Sequence, residues 1–233
     1  MDGHSTDDTV RIANSLASKI LIAEGGKAYA RQIGFMNSTS EYVAFVDSDV
    51  LIPEHALKTM LEELITAHAK ALTCLYLRNS LSNPTYWTNS EEQHHLYHRR
   101  WFHKHNLVTA CSLFTRDVLI SNSFELAYGG YMDDLDLGRR LQEKKEVIAV
   151  SRIVPTHLKS QNIQSYIKYH FLLGKTHHGY FRKYGFREFK YFPALSMMFW
   201  IEFCTVNLKL KLIPYFFVKG ISESIGFASG PPT

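Results

Sequence analysis

Cysteine is scarce. The 233 residues include three, Cys74, Cys111 and Cys204, odd in number and far apart. That pattern excludes a disulfide framework and a cysteine-based zinc site, and reduced thiols of a cytosolic setting are the expectation. No secretory signal is legible, because Met1 is followed by the acidic, polar stretch DGHSTDD where a signal would place an apolar core. The longest uncharged run near the C-terminus, YFPALSMMFWI at 191–201, is too short for a bilayer crossing, which takes about 20 apolar residues. Internal repeats and low-complexity tracts are absent as well. One structural element is also missing. The sequence opens on a turn cluster and runs straight into a helical pattern, whereas a complete βαβ opening takes about 30 residues. An N-terminally truncated fold is therefore expected.

What is present suits one good core with an appended segment: 45% of the residues are hydrophobic. The net charge of +4 conceals two halves. Residues 1–150 hold 15 Lys and Arg against 19 Asp and Glu, a net of −4, while residues 151–233 hold 11 against 3, a net of +8. An acidic front suits metal-assisted catalysis, and a basic, aromatic back suits phosphates or an anionic surface.

Periodicity predicts alternating helices and strands. VRIANSLASKI has helical spacing after the DGHSTDDT turn cluster, ILIAEGG reads as a short strand, and KAYARQIGFMNS as a second helix. YVAFVDSDV follows as a strand buried on both faces, then a turn with Pro53 and an amphipathic helix over 54–70. ALTCLYLR returns as a strand. The predicted class is α/β, a mostly parallel sheet flanked by helices, with ligands beyond the carboxyl ends of the strands.

Two acidic clusters stand out. Asp47 and Asp49 end an apolar strand, and unpaired carboxylates are too costly to bury, so they must face water, a metal or a phosphate. They could bind Mg²⁺ or Mn²⁺ shared with a diphosphate, or simply form a turn and N-cap. Asp133, Asp134 and Asp136 follow a glycine pair in YGGYMDDLDLGRRL and open a helix. They could supply a general base, or only complement the helix dipole.

DGHSTDDT, then FVDSDV, then GGYMDDLDLGRRL occur in an order and spacing that resemble the family 2 glycosyltransferases, over residues 2 to about 185. The resemblance implies a GT-A (Rossmann-like) fold and an enzyme that moves a sugar from a nucleoside-diphosphate donor to an acceptor hydroxyl by inverting displacement. It implies donor binding by Asp2, Lys27, Arg31, Asp47, Ser48 and Asp49. Asp47, Asp49 and His157 (in PTHLKS) would hold Mg²⁺ or Mn²⁺. Asp134 would be the base, with Asp133, in place of a glutamate, and Asp136 beside it on the acceptor side. Gln32 departs from the family's usual "ARN" segment.

The stretch 94–105 gathers His94, His95, His98, His103 and His105 around Trp101. A helix or flap over the acceptor is the expectation, with Trp101 offering a sugar-stacking face; a zinc site lacks cysteine or carboxylate partners. The basic, aromatic region 168–192 carries no nucleic-acid fold signature, so no nucleic-acid partner is expected. With the helical stretch after it, including Lys209, Lys211 and Lys219, it suits an interfacial membrane segment, or ordinary buried helices.

The domain expectation is a catalytic part at 1–160 and a helical C-terminal segment at 161–233. The acceptor is expected to be a saccharide or a polyprenyl-linked molecule, and the protein to work at the cytoplasmic face of a membrane or in the cytoplasm. The rival readings are a nucleotidyltransferase and a non-catalytic nucleotide- or sugar-binding module.

Overall fold

The computed structural model describes residues 1–74, 78–79, 84–101, 107–128, 131–158, 162–185 and 192–230, with backbone alone at 78–79, 98–101 and 128. Its centre is a four-stranded sheet in the order β1 (Tyr42–Val46), β5 (Cys111–Thr115), β3 (Ala71–Thr73), β6 (Ile148–Val150). Along these strands side chains alternate between two cores, as a pleated backbone requires. Val43, Ala71 and Phe114 pack with α2 (Gly26–Met36), α5 (Arg116–Ser121) and α6 (Asp133–Glu143) on one face. Leu72, Leu113 and Cys111 pack with Met60 and Leu64 of α3 (Ala56–Thr66) on the other. The expected α/β sheet flanked by helices is present, and the three cysteines are free.

The strand directions correct one expectation. β5 pairs antiparallel with both β1 and β3, and only β3 and β6 pair in parallel. Three of the four strands still point the same way. The sheet is mixed in its ladders because the chain returns from α4 (Tyr86–Trp101) and enters β5 from the opposite end. β1 bonds to β5 on one side, and its other edge borders an open cavity. Ala44 and Val46 are accordingly exposed, so burial on both faces does not extend to the whole strand.

ILIAEGG does not form a strand. It is held by a parallel bridge at Ile22, with Asp2 N donating to Leu21 O at 2.8 Å and Ala23 N to Asp2 O at 2.9 Å. A strand needs a partner along its length, and among the described residues this stretch pairs only at the Asp2–Ile22 bridge. α1 (Thr9–Asn14) is likewise shorter than its apolar spacing predicted, because none of its residues finds a core to enter.

A second, small sheet in the order β2 (Val50–Leu51), β7 (Thr156–His157), β4 (Arg78–Asn79) sits beyond the end of β1. The C-terminal part is helical: α7 (Ile163–Tyr184), α8 (Pro193–Val206) and α9 (Ile213–Ala228). α7 opens with a reciprocal Asn162–Ser165 capping box. Tyr166, Trp200, Cys204, Tyr215 and Phe216 form the core of this unit. Between α7 and α9, His170 Nδ1 lies 2.7 Å and Lys219 Nζ 2.9 Å from the buried Glu223 carboxylate. Burial alone would raise the Glu223 pKa, and the Lys219 charge and the His170 hydrogen bond outweigh it and hold it low.

α7 and α9 approach closely at Gly174, where an added Cβ would stand 2.0 Å from the Glu223 carbonyl oxygen. Gly→Ala inside a helix ordinarily gains about 1 kcal/mol. Gly174→Ala is expected to do the reverse, destabilising the chain by about 1–3 kcal/mol through overpacking, read by denaturant unfolding.

Candidate active site

The D-S-D segment sits where β1 leaves the central sheet. Asp47 N donates to Ala110 O at 2.9 Å, and Val50 N returns to Asp47 O at 3.0 Å, which closes a tight turn into β2. The N-cap reading does not describe this turn, since α3 begins at Ala56 with His55 as its N-terminal neighbour. Pairing of β2 with β7 sets His157 opposite Val50. The His157 ring is thereby carried to Asp49, with Nε2 3.1 Å from Oδ2. Two residues 108 apart in sequence are thereby brought together.

α2 approaches the same turn from across the cavity. Lys27 and Arg31, one helical turn apart, face Asp47: Arg31 Nη2 donates to Oδ1 at 2.9 Å, and Lys27 Nζ lies 3.5 Å from Oδ2. The cavity, about 660 Å³, is lined by these two cations, by Met1 and Gly34, by the open edge of β1 and by Asp47, Ser48 and Asp49. Gln32, the departure from the usual segment, turns elsewhere and accepts from Phe124 N at 3.1 Å.

Arg31 is the hub. Its Nη1 donates to Asp133 Oδ2 at 3.0 Å while Nη2 holds Asp47, so one guanidinium joins the two acidic clusters. The planar fork of arginine suits this double contact, which a lysine could not span. Burial would lower the Arg31 pKa, but Asp133, Asp47 and Asp134 outweigh it and keep it raised. Burial would raise Asp47; Arg31 and Lys27 overcome that and hold it below the usual carboxylate range.

α6 divides its three carboxylates among three environments. Asp133, 1% exposed, is raised by burial against the pull of Arg31. Asp134 is pushed up to about 7, first by burial and then by the neighbouring Asp133 charge, with backbone N–H groups of Leu135 and Thr109 drawing it back. Asp136 faces the other way. Its oxygens accept from Lys183 Nζ at 2.8 Å, Tyr184 Oη at 2.6 Å and Arg140 Nε at 2.7 Å, which binds α6 to α7. Burial would raise its pKa, yet these donors hold it low. Asp136 is thus a tie between helices rather than an acceptor-side group, and Asp133 serves the Asp47 side through Arg31. Tyr169 of α7, to which the sequence alone assigns no role, packs edge-on against Tyr131 at 5.6 Å and lies within electrostatic reach of Asp134.

Other expected residues have partners of their own. Asp2 is buried, with its carboxylate accepting from Ser5 N at 3.0 Å and Ser5 Oγ at 2.6 Å, bonds that lower its pKa. His94 Nδ1 lies 3.3 Å from Tyr215 Oη and its ring packs edge-on to Trp200, inside the helical core rather than over a site. His95 is exposed beside Glu91. The side chains of His98 and Trp101, and all of His103 and His105, lie outside the described residues, as do Gly129, Gly130 and 186–191.

Among the described residues no three His, Cys, Asp or Glu side chains converge as a metal site. Asp49 and His157 do offer an accessible carboxylate and an imidazole side by side. That donor set fits a hard cation that takes its remaining ligands from substrate phosphates and water.

Comparison with solved structures places the fold. Glucosyl-3-phosphoglycerate synthase from Mycobacterium tuberculosis, in complex with Mn²⁺, uridine diphosphate and phosphoglyceric acid, is 17% identical, with a TM-score of 0.57 over 79% of this chain and 66% of that one. The same enzyme with Mn²⁺, UDP-glucose and phosphoglyceric acid is 16% identical, with a TM-score of 0.54 over 74% of this chain and 64% of that one. A further structure, of a mycobacterial protein, is 18% identical, with a TM-score of 0.54 over 74% and 60%. The chain spans less than two thirds of the length of each. Among curated proteins none matches. The likeness establishes a GT-A fold, and the family model for glycosyl transferase family 2 matches residues 1–121. The chain belongs to glycosyl transferase family 2.

Proposed function

We propose that this chain carries the donor site and the catalytic base of a metal-dependent, inverting glycosyltransferase. Residues 1–160 hold the site and 161–233 support it from the side of α6. The reading rests on one observation above the others: Arg31 links Asp47, at the end of a strand, to Asp133, whose neighbour Asp134 is held near neutrality. A general base is most effective when its pKa lies near the working pH.

The cavity beside β1 takes the nucleoside diphosphate of the donor. Lys27 meets phosphate charge, and Arg31 fixes the Asp47 carboxylate. Asp49 and His157, with Asp47 nearby, hold Mg²⁺ or Mn²⁺, a Lewis acid for the departing diphosphate. The solved relatives carry Mn²⁺ with UDP or UDP-glucose, which supports both the metal and the donor class. Asp134 accepts the proton of the attacking hydroxyl, from a saccharide or polyprenyl-linked acceptor. That oxygen bonds to the anomeric carbon as the diphosphate leaves from the opposite face.

Turnover tests this. The full chain with Mn²⁺ and either UDP-glucose or GDP-mannose, given a panel of saccharide and polyprenyl phosphate acceptors, is expected to release nucleoside diphosphate only in the presence of metal. Binding of donor without release in any combination would contradict transfer and leave a binding module.

A further inference from the structure

The turn between α8 and α9 carries apolar side chains that face solvent. Val206, Leu208 and Leu210 are exposed, Leu208 at 83%, and Phe217, Ile221 and Ile225 continue at helical spacing along the outer face of α9. The opposite face of the same segment is already packed, with Leu212, Tyr215 and Phe216 in the helical core. Leu208 also adopts a left-handed backbone (φ 55°), a conformation that bulky residues avoid and glycine would supply at a helix end. An apolar residue held in strain and offered to solvent gains nothing from the isolated fold.

Lys209 and Lys211 alternate with these leucines, are exposed, and make no ion pair among the described residues. Glu202 is the one acidic residue between 193 and 217, and residues 151–233 carry a net +8. A second copy of the chain would fit this face poorly. Two-fold pairing sets a patch against itself and would bring the lysines of both copies together. No helix among the described residues is long and apolar enough to cross a membrane. Alternating apolar and basic side chains on one exposed surface fit the boundary between acyl chains and anionic headgroups.

We propose that this face, centred on 206–211, docks on the surface of a bilayer containing anionic lipid. The leucines enter the acyl boundary and Lys209 and Lys211 meet lipid phosphates. The inference is independent of the reaction proposed above.

Co-sedimentation of the full chain with phosphatidylcholine vesicles, with and without phosphatidylglycerol, tests it. Binding is expected with the anionic vesicles and is expected to weaken as salt is raised. Leu208→Asn combined with Leu210→Ser keeps a residue tolerant of the left-handed backbone and removes apolar surface. It is expected to cut affinity about tenfold or more. Lys209→Gln with Lys211→Gln should reduce affinity about fivefold per lysine. Unchanged thermal unfolding and far-ultraviolet circular dichroism would show that both variants remain folded. Absence of binding to anionic vesicles, or binding that neither double variant weakens, would overturn the proposal. So would a dimer in sedimentation equilibrium that Leu208→Asn abolishes, since that result assigns the face to a second copy.

Discussion

Asp134→Asn is expected to lower turnover about 10²- to 10⁴-fold, the usual contribution of a positioned base, while donor affinity stays unchanged. The same substitution is expected to make the folded chain more stable above neutral pH. Burial and the Asp133 charge push the Asp134 carboxyl up to about 7. The folded chain therefore holds this proton more tightly than the unfolded chain, and ionising Asp134 between the ordinary carboxylate range and about pH 7 costs stability. Asparagine has no proton to lose. The variant should gain about 1–2 kcal/mol at pH 8, with partial exposure of the side chain allowed for, and almost nothing at pH 4. Activity of the unmodified chain should rise with pH through about 7 and then level. Asp133→Asn removes a charge that raises Asp134, so the rise should move to lower pH. A purely structural Asp134 would show neither the pH limb nor its displacement.

Arg31→Ala is expected to be the most damaging single change. Asp133 is almost fully buried, and the Arg31 guanidinium is the cation the structure places on it. Removing one partner of a buried pair leaves an uncompensated charge and typically costs about 3–5 kcal/mol. Donor binding should fall with it, because Asp47 loses its nearest donor. The deficit has a definite pH dependence. Asp133 already has a raised pKa, and loss of Arg31 removes the pull that lowers it. The folded variant then favours protonated Asp133, so its stability relative to the unmodified chain recovers as pH falls. Arg31→Met combined with Asp133→Asn should be less destabilised than Arg31→Met alone, a coupling that a double-mutant cycle in urea would measure. Arg31→Lys should rescue little, since a single ammonium cannot bridge Asp47 and Asp133.

Much of this site is legible in the sequence, and the reasons are local. Asp47 and Asp49 interrupt an apolar strand, and a buried strand cannot carry two carboxylates except at its end. The helices α2, α3 and α6 follow from their apolar spacing because each has a sheet face to meet. The order of motifs makes His157 a candidate, and the β2–β7 pairing sets its ring beside Asp49. The roles of Asp133 and Asp136 are not legible. Which carboxylate of an acidic first turn faces which neighbour depends on Arg31, 102 residues before Asp133, and on Lys183 and Tyr184, 47 and 48 residues after Asp136. ILIAEGG misleads for the converse reason, since strand propensity without a neighbour yields a single bridge. In the C-terminal part, composition points to apolar and basic helices, but only the packing separates Tyr215 and Phe216, which are buried, from Phe217, Ile221 and Ile225, which are not.

A nucleoside diphosphate is expected to bind beside D-S-D together with a divalent metal held by Asp49 and His157. Calorimetric titration of the full chain with UDP and GDP, each with and without Mn²⁺, measures it directly, with Asp49→Asn as the paired variant. One nucleotide is expected to bind in a manner that requires Mn²⁺ and disappears in Asp49→Asn while thermal unfolding is unchanged. Binding that is indifferent to metal, or that survives in Asp49→Asn, would contradict it, as would the absence of binding by either nucleotide.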